Sequence, residues 1–175
     1  MDLRPLARYA RACSPLENSM ADDLRHLHDR DFALWALTQA RALREKRYDA
    51  LDREILANEL ERLVSRERNE INQRVQALTV QLMMWTVQPA MRTDSFQSSI
   101  LEQRTTIDTL LRMNPSLRPA VEDALSKNYA AALDTITQAG ISRTLFPPDP
   151  VFTLDQLVDR AFWPASIFGG RAFSF

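Results

Sequence analysis

Between about Asp52 and Thr86 the chain contains neither proline nor glycine, the two residues that most often interrupt a helix. Its apolar residues fall at Leu56, Leu60, Leu63, Val64, Ile71, Val75, Leu78, Leu82 and Trp85. These steps of three and four draw one continuous stripe along an α-helix. At ~1.5 Å per residue such a rod is on the order of 50 Å long. A lone helix cannot bury its own stripe, so other helices have to cover it. The fold class that follows is all-α: a helical bundle organised around one long helix, 52–86.

The flanking segments read as partners for this rod. Residues 1–28 form a poorly ordered leader, punctuated by Pro5 and Pro15. Residues 29–164 form one helical domain, and 165–175 form an aromatic tail that holds two of the three glycines. Asp31 is placed to N-cap a first helix, whose inward face would be Phe32, Trp35, Ala36, Gln39 and Leu43. Pro89 stops the long helix, because the residue before a proline is pushed out of the α region. A third helix is expected over about Ser95–Met113, with Phe96, Ile100, Ile107, Leu110 and Leu111 inward. A fourth should begin near Pro119, run to Ala139 and stop at Gly140. Its face carries Leu117, Val121, Leu125, Ala132, Leu133 and Ile136. After the extended FPPDP linker, Thr153 and Gln156 have capping-box spacing for a last short helix.

Several chemistries lack their residues. Glycine occurs only at Gly140, Gly169 and Gly170, so neither a phosphate loop nor a dinucleotide fingerprint can be built. The two histidines, His26 and His28, both fall in the leader, which leaves no Ser–His or Cys–His mechanism in the helical body. His26 and His28 with Asp22, Asp23, Asp29 and Asp31 could approach a metal, but no rigid scaffold is expected there, and neither a metal nor a cofactor is assigned. The single Cys13 excludes an internal disulfide and fits a reducing compartment. A net charge of -1 favours neither nucleic acid nor acidic lipid. No run reaches the ~18 apolar residues of a membrane span. A cytoplasmic protein is expected.

What remains is a set of polar residues on inward faces. Glu67 lies within the stripe, four after Leu63 and four before Ile71. Arg104 lies between Ile100 and Ile107, and Gln39 and Asn128 also face inward. Arg74 borders the same stripe. A buried carboxylate needs a partner, and Arg104 offers one. The expectation is a buried polar network of Gln39, Glu67, Arg104, Asn128 and Arg74. In its structural form it sets register and pairing. In its functional form Glu67 is an acid/base and Arg104 an anion clamp in a pocket. The structural form is preferred, so no catalytic residue is assigned. The basic cluster of Arg41, Arg44, Lys46, Arg47 and Arg53 reads as a solvated edge rather than a phosphate surface.

The motifs DFALWALTQARALRE, YDALDREILANELERLVSRERNEI, LMMWTVQP, ILEQRTTIDTLLRMNPSLRP and FPPDPVFTLDQLVDRAFWP follow one another in this order. That order resembles the bacterial domain-of-unknown-function family numbered twenty-nine, from about Leu27 to Pro164. Matching positions include Asp31, Trp35, Gln39, Glu59, Glu67, Trp85, Pro89, Arg104 and Pro119. The resemblance implies an all-helical domain of bacterial origin and carries no assigned activity.

Three function classes are carried forward, in this order. The first is a cytoplasmic protein–protein interaction or accessory module, with a protein partner or a homodimer. The second is a small ligand-binding protein or enzyme with a Glu67/Arg104 polar pocket. The third is a nucleic-acid-associated protein acting through the Arg41–Arg53 region.

Overall fold

The computed structural model describes residues 27–165. The leader before residue 27 and the tail after residue 165 lie outside the described residues. Every regular element is helical. Besides short 3-10 turns these are α1 (Phe32–Arg44), α2 (Arg53–Val87), α3 (Asp94–Met113), α4 (Arg118–Asp123), α5 (Leu125–Gln138) and α6 (Leu154–Val158). The all-α class and the long helix are therefore as expected. The stretch read as one domain divides into two compact units, meeting between Arg62 and Leu63.

The helix ends follow local chemistry. Asp31 caps α1 by accepting the Leu34 N–H at 2.9 Å. Asp52 does the same for α2 at Ile55. Thr93 caps α3, and Thr153 with Gln156 forms the reciprocal capping box of α6. At the end of α5, Gly140 takes φ +83, and the Ile141 N–H returns to the Ile136 carbonyl at 3.0 Å. This is the Schellman closure, in which a left-handed residue lets the last carbonyls find donors. The end of α1 has the same closure without glycine: Lys46 takes φ 56, and the Arg47 N–H bonds the Ala42 carbonyl at 2.9 Å.

The expected fourth helix is divided. The Ala124 N–H bonds Val121 three residues back, at 3.2 Å, which tightens one turn between α4 and α5 although no glycine or proline stands at that point.

The first unit is a hairpin. Its described part comprises residues 27–30, which are helical, α1, a 3-10 turn at Tyr48–Ala50, and the start of α2. Its buried apolar side chains are Trp35 and Ala42. Buried Gln39 accepts the Asp52 N–H at 2.9 Å, which fixes the point where α2 begins. Phe32 and Leu43, expected inward, are about half exposed. They sit on the edge of the α1 face whose centre is taken by Trp35, Gln39 and Ala42.

The second unit holds the core. Ile71, Val75, Leu78 and Leu82 of α2 are fully buried, together with Ile100 and Ile107 of α3, Leu133 and Ile136 of α5, and Leu154 and Leu157 of α6. Tyr129 ties the FPPDP linker to α5, donating its hydroxyl to the Pro147 carbonyl at 2.8 Å. Burial pushes that phenol up to about 12, so it stays a donor across the physiological range.

The stripe on α2 is thus sealed from Ile71 onward, while Leu56 near its start is partly buried. Leu60, Leu63 and Val64 stand 63%, 50% and 56% exposed. The periodicity runs the length of the helix, but among the described residues the cover is complete only over its C-terminal half. Leu82→Ala should cost about 2–5 kcal/mol in a urea unfolding experiment, whereas Leu60→Ala should stay within about 0.5 kcal/mol of wild type.

Candidate functional site

Arg104 enters the core of the second unit. Its guanidinium has no exposed surface. Nε donates to the Leu157 carbonyl at 3.1 Å, and the Trp163 ring lies 5.0 Å from the guanidinium carbon. Among the described residues neither terminal nitrogen has a hydrogen-bond partner. Burial lowers the pKa of this group, and the charge of Asp159 acts in the opposite direction. Trp163 in turn lies 4.5 Å from Trp85, and Arg92 covers Trp85 at 5.2 Å. Arg92 also donates to the Trp85 carbonyl at 2.9 Å. Two guanidinium groups and two indoles therefore form one cation–π cluster.

Glu67 does not join Arg104. It is exposed, like every residue of α2 from Arg66 to Glu70. The expected acid/base and anion-clamp pair is not formed. The other three residues are also separate. Arg74 pairs with Glu70 at 2.9 Å and reaches the side-chain oxygen Oε1 of Gln103 on α3 at 3.4 Å. Asn128 is buried and donates Nδ2 to Asn72 Oδ1 at 3.1 Å. Gln39 serves the hairpin. In place of the expected single network there are separate contacts, in which Arg74, Asn128 and Arg104 each bond a group of another helix. In the basic cluster, Glu45 bonds both Arg41 and Arg47.

The sequence reading missed the hairpin's own polar centre. Glu59 is buried on α2. It meets His28 Nε2 at 3.1 Å and accepts from Arg62 at 2.6 Å. His28 Nδ1 lies 3.2 Å from Asp29. The imidazole stands edge-on to Trp35, 4.8 Å between centroids, and to Phe32 at 5.7 Å. The available signal was the Glu59–Arg62 spacing beside a lone His; assigning His28 to a loose leader concealed it. Among the described residues no group of three or more His, Cys, Asp or Glu could hold a metal. His26, Asp22 and Asp23 lie outside the described residues.

The two partners shift in opposite directions. The Asp29 hydrogen bond, then the Glu59 bond, raises the His28 pKa above 6.5. Burial works to raise Glu59, but the His28 bond and the Arg62 charge outweigh it and hold the carboxyl below 4.5.

The family model described as Domain of unknown function DUF29 matches residues 27–163. The chain belongs to the DUF29 family. No curated protein and no solved structure matches it. Among the described residues of this DUF29 chain, no helix is long and apolar enough to cross a membrane.

The DUF29 hairpin is notable for what it leaves uncovered. Leu34 and Leu37 of α1, Tyr48 of the turn and Leu60 of α2 are each more than half exposed. The aromatic tail lies outside the described residues from residue 166 on.

Two measurements check this geometry. The His28 ring should titrate by NMR with a midpoint above 6.5, and Glu59→Gln should bring it back toward that value. His28's raised pKa contributes stability that is complete below 6.5 and is lost as pH rises through the folded midpoint. Glu59's depressed pKa contributes stability present above 4.5 and lost as pH falls through its folded midpoint. The pair should therefore tie the hairpin best between those two values. Separately, Arg104→Met should lower the unfolding free energy by about 1–3 kcal/mol, since it leaves the Leu157 carbonyl buried without its donor.

Proposed function

We propose that this DUF29 protein is a protein–protein interaction module of the bacterial cytoplasm. Its docking surface is the apolar face of the hairpin. One observation carries this reading. The described part of the hairpin buries Trp35 and Ala42, while Phe32, Leu34, Leu37, Leu43, Tyr48 and Leu60 stand about half exposed or more. Leu34 and Leu37 lie on the side of α1 turned away from the buried Trp35, Gln39 and Ala42, and large apolar side chains exposed on one short hairpin mark interaction surfaces in soluble proteins. Tyr48 and Phe32 belong to the aromatic class enriched at interface centres. The polar centre made by His28 and Glu59 braces the two helices that present these side chains, so the face is held ready before a partner arrives.

The bacterial setting rests on the family resemblance, and the reducing compartment on the lone Cys13. The catalytic alternative has no support from the geometry, since Glu67 is exposed while Arg104 is sealed.

The test is a mild cross-linking pull-down of tagged full chain from its native host, run beside the double variant Leu37→Asp, Leu60→Asp. Both positions are exposed, so the fold should be retained, as circular dichroism can verify. A stoichiometric partner should be recovered with the wild type and lost with the double variant. Recovery of the same partner by both proteins, or of none above background, would overturn the assignment. If the captured protein is the chain itself, light scattering should show a dimer that the variant lacks.

A further inference from the structure

A second surface, wholly within the unit that follows Arg62, has a different chemistry. A groove of about 350 Å³ runs between α2 and the α4–α5 junction. Its α2 wall carries Asn69, Asn72, Gln73 and Gln76. The opposite wall carries Asn128, with Ala120 and Ala124 as small side chains that leave the space open. Arg68 and Lys127 are the charged residues of the lining, which includes no acid and no aromatic ring. Neither makes an ion pair among the described residues.

We infer that this groove binds an extended, acidic peptide segment of a partner protein. The amides are the first reason. Asn69 and Gln73, and likewise Asn72 and Gln76, are four residues apart on one helix, a rise of about 6 Å. An extended chain repeats its orientation every two residues, about 6.6–6.8 Å. Carboxamides at that spacing match alternate peptide units, and each offers both a donor and an acceptor.

The Asn72–Asn128 pair is the second reason. Asn128 Nδ2 occupies Asn72 Oδ1. This leaves the Asn72 amide nitrogen and the Asn128 amide oxygen without a hydrogen-bond partner among the described residues. Asn128 as a residue is only 7% exposed, and it lines the groove, so a partner there gains a hydrogen bond in a setting shielded from bulk water. A free donor beside a free acceptor complements the carbonyl and N–H of a peptide backbone.

Charge is the third reason. Two unpaired cations without a carboxylate in the lining attract acidic side chains on that backbone. The absence of an aromatic lining residue disfavours a nucleic-acid strand, whose bases would need a stacking platform. This inference goes beyond the hairpin reading and uses none of its residues, so either can fail alone.

The test is fluorescence anisotropy of the full chain with a short labelled peptide of alternating Glu and Gly. Comparison probes are the Lys–Gly counterpart and a Glu–Gly peptide N-methylated at alternate backbone nitrogens. The Glu–Gly peptide should bind saturably. N-methylation, Asn128→Leu and Lys127→Glu should each weaken it about tenfold or more, a loss of the size expected for one buried hydrogen bond or one charge contact. Lys127 is exposed, so Lys127→Glu keeps the test decisive if Asn128→Leu unfolds the chain. Three results would overturn the proposal: no saturable binding, equal binding of the Lys–Gly peptide, or binding indifferent to N-methylation. Displacement of the N-methylated and parent peptides alike by inorganic phosphate would reduce the groove to a simple anion site.

Discussion

The structure depends on the apolar stripe of one long helix and on how much of it the rest of the chain can cover. From Ile71 to Leu82 the stripe is sealed by side chains of α3, α5 and α6. Burial of large aliphatic groups is the main favourable term in folding, so this segment anchors the second unit. The same periodicity continues backward through Val64, Leu63 and Leu60, where those side chains remain in contact with solvent. A helix is continuous in its hydrogen bonds, but its stability comes from packing. The backbone therefore carries the helix well beyond the region where the core supports it.

Buried polar groups in this protein do local work. Gln39 holds the backbone at the start of α2, Tyr129 holds the FPPDP linker, and Arg104 holds the carbonyl at Leu157. Each is placed where a backbone group would otherwise lose its partner on leaving water. Arg104 fills the most demanding position, since one of its nitrogens is bonded while the other two rest against an aromatic cluster. The cluster of Trp85, Trp163, Arg92 and Arg104 gathers α2, the loop after it, α3 and the segment after α6 around a single contact surface.

The two proposed recognition surfaces use different physics. The hairpin offers aliphatic and aromatic side chains and would bind by removing them from water. The groove offers carboxamides and two cations, and would bind by satisfying a peptide backbone and its charges. The first gives affinity that is insensitive to salt; the second gives orientation and salt dependence.

Much of the fold was legible in the sequence, because its signals are local. Asp31, Thr153 with Gln156, Pro89 and Gly140 mark helix boundaries through groups a few residues away, and the structure uses them so. Lys46 shows the limit of that logic: a left-handed closure formed where no glycine announced it. The site was less legible. The inward register of Arg104, Gln39 and Asn128 followed from spacing alone, and all three are buried. Glu67 had equally good spacing and is exposed. His28 had no periodic signal, yet it meets Glu59 across thirty-one residues of chain. Periodicity states which residues share a face of a helix. Whether another helix lies over that face, and which polar groups then meet, is decided by long-range packing. Sequence alone therefore determined the helices, their ends and their stripes; only the tertiary structure decided which turns of the long helix are core and which are surface.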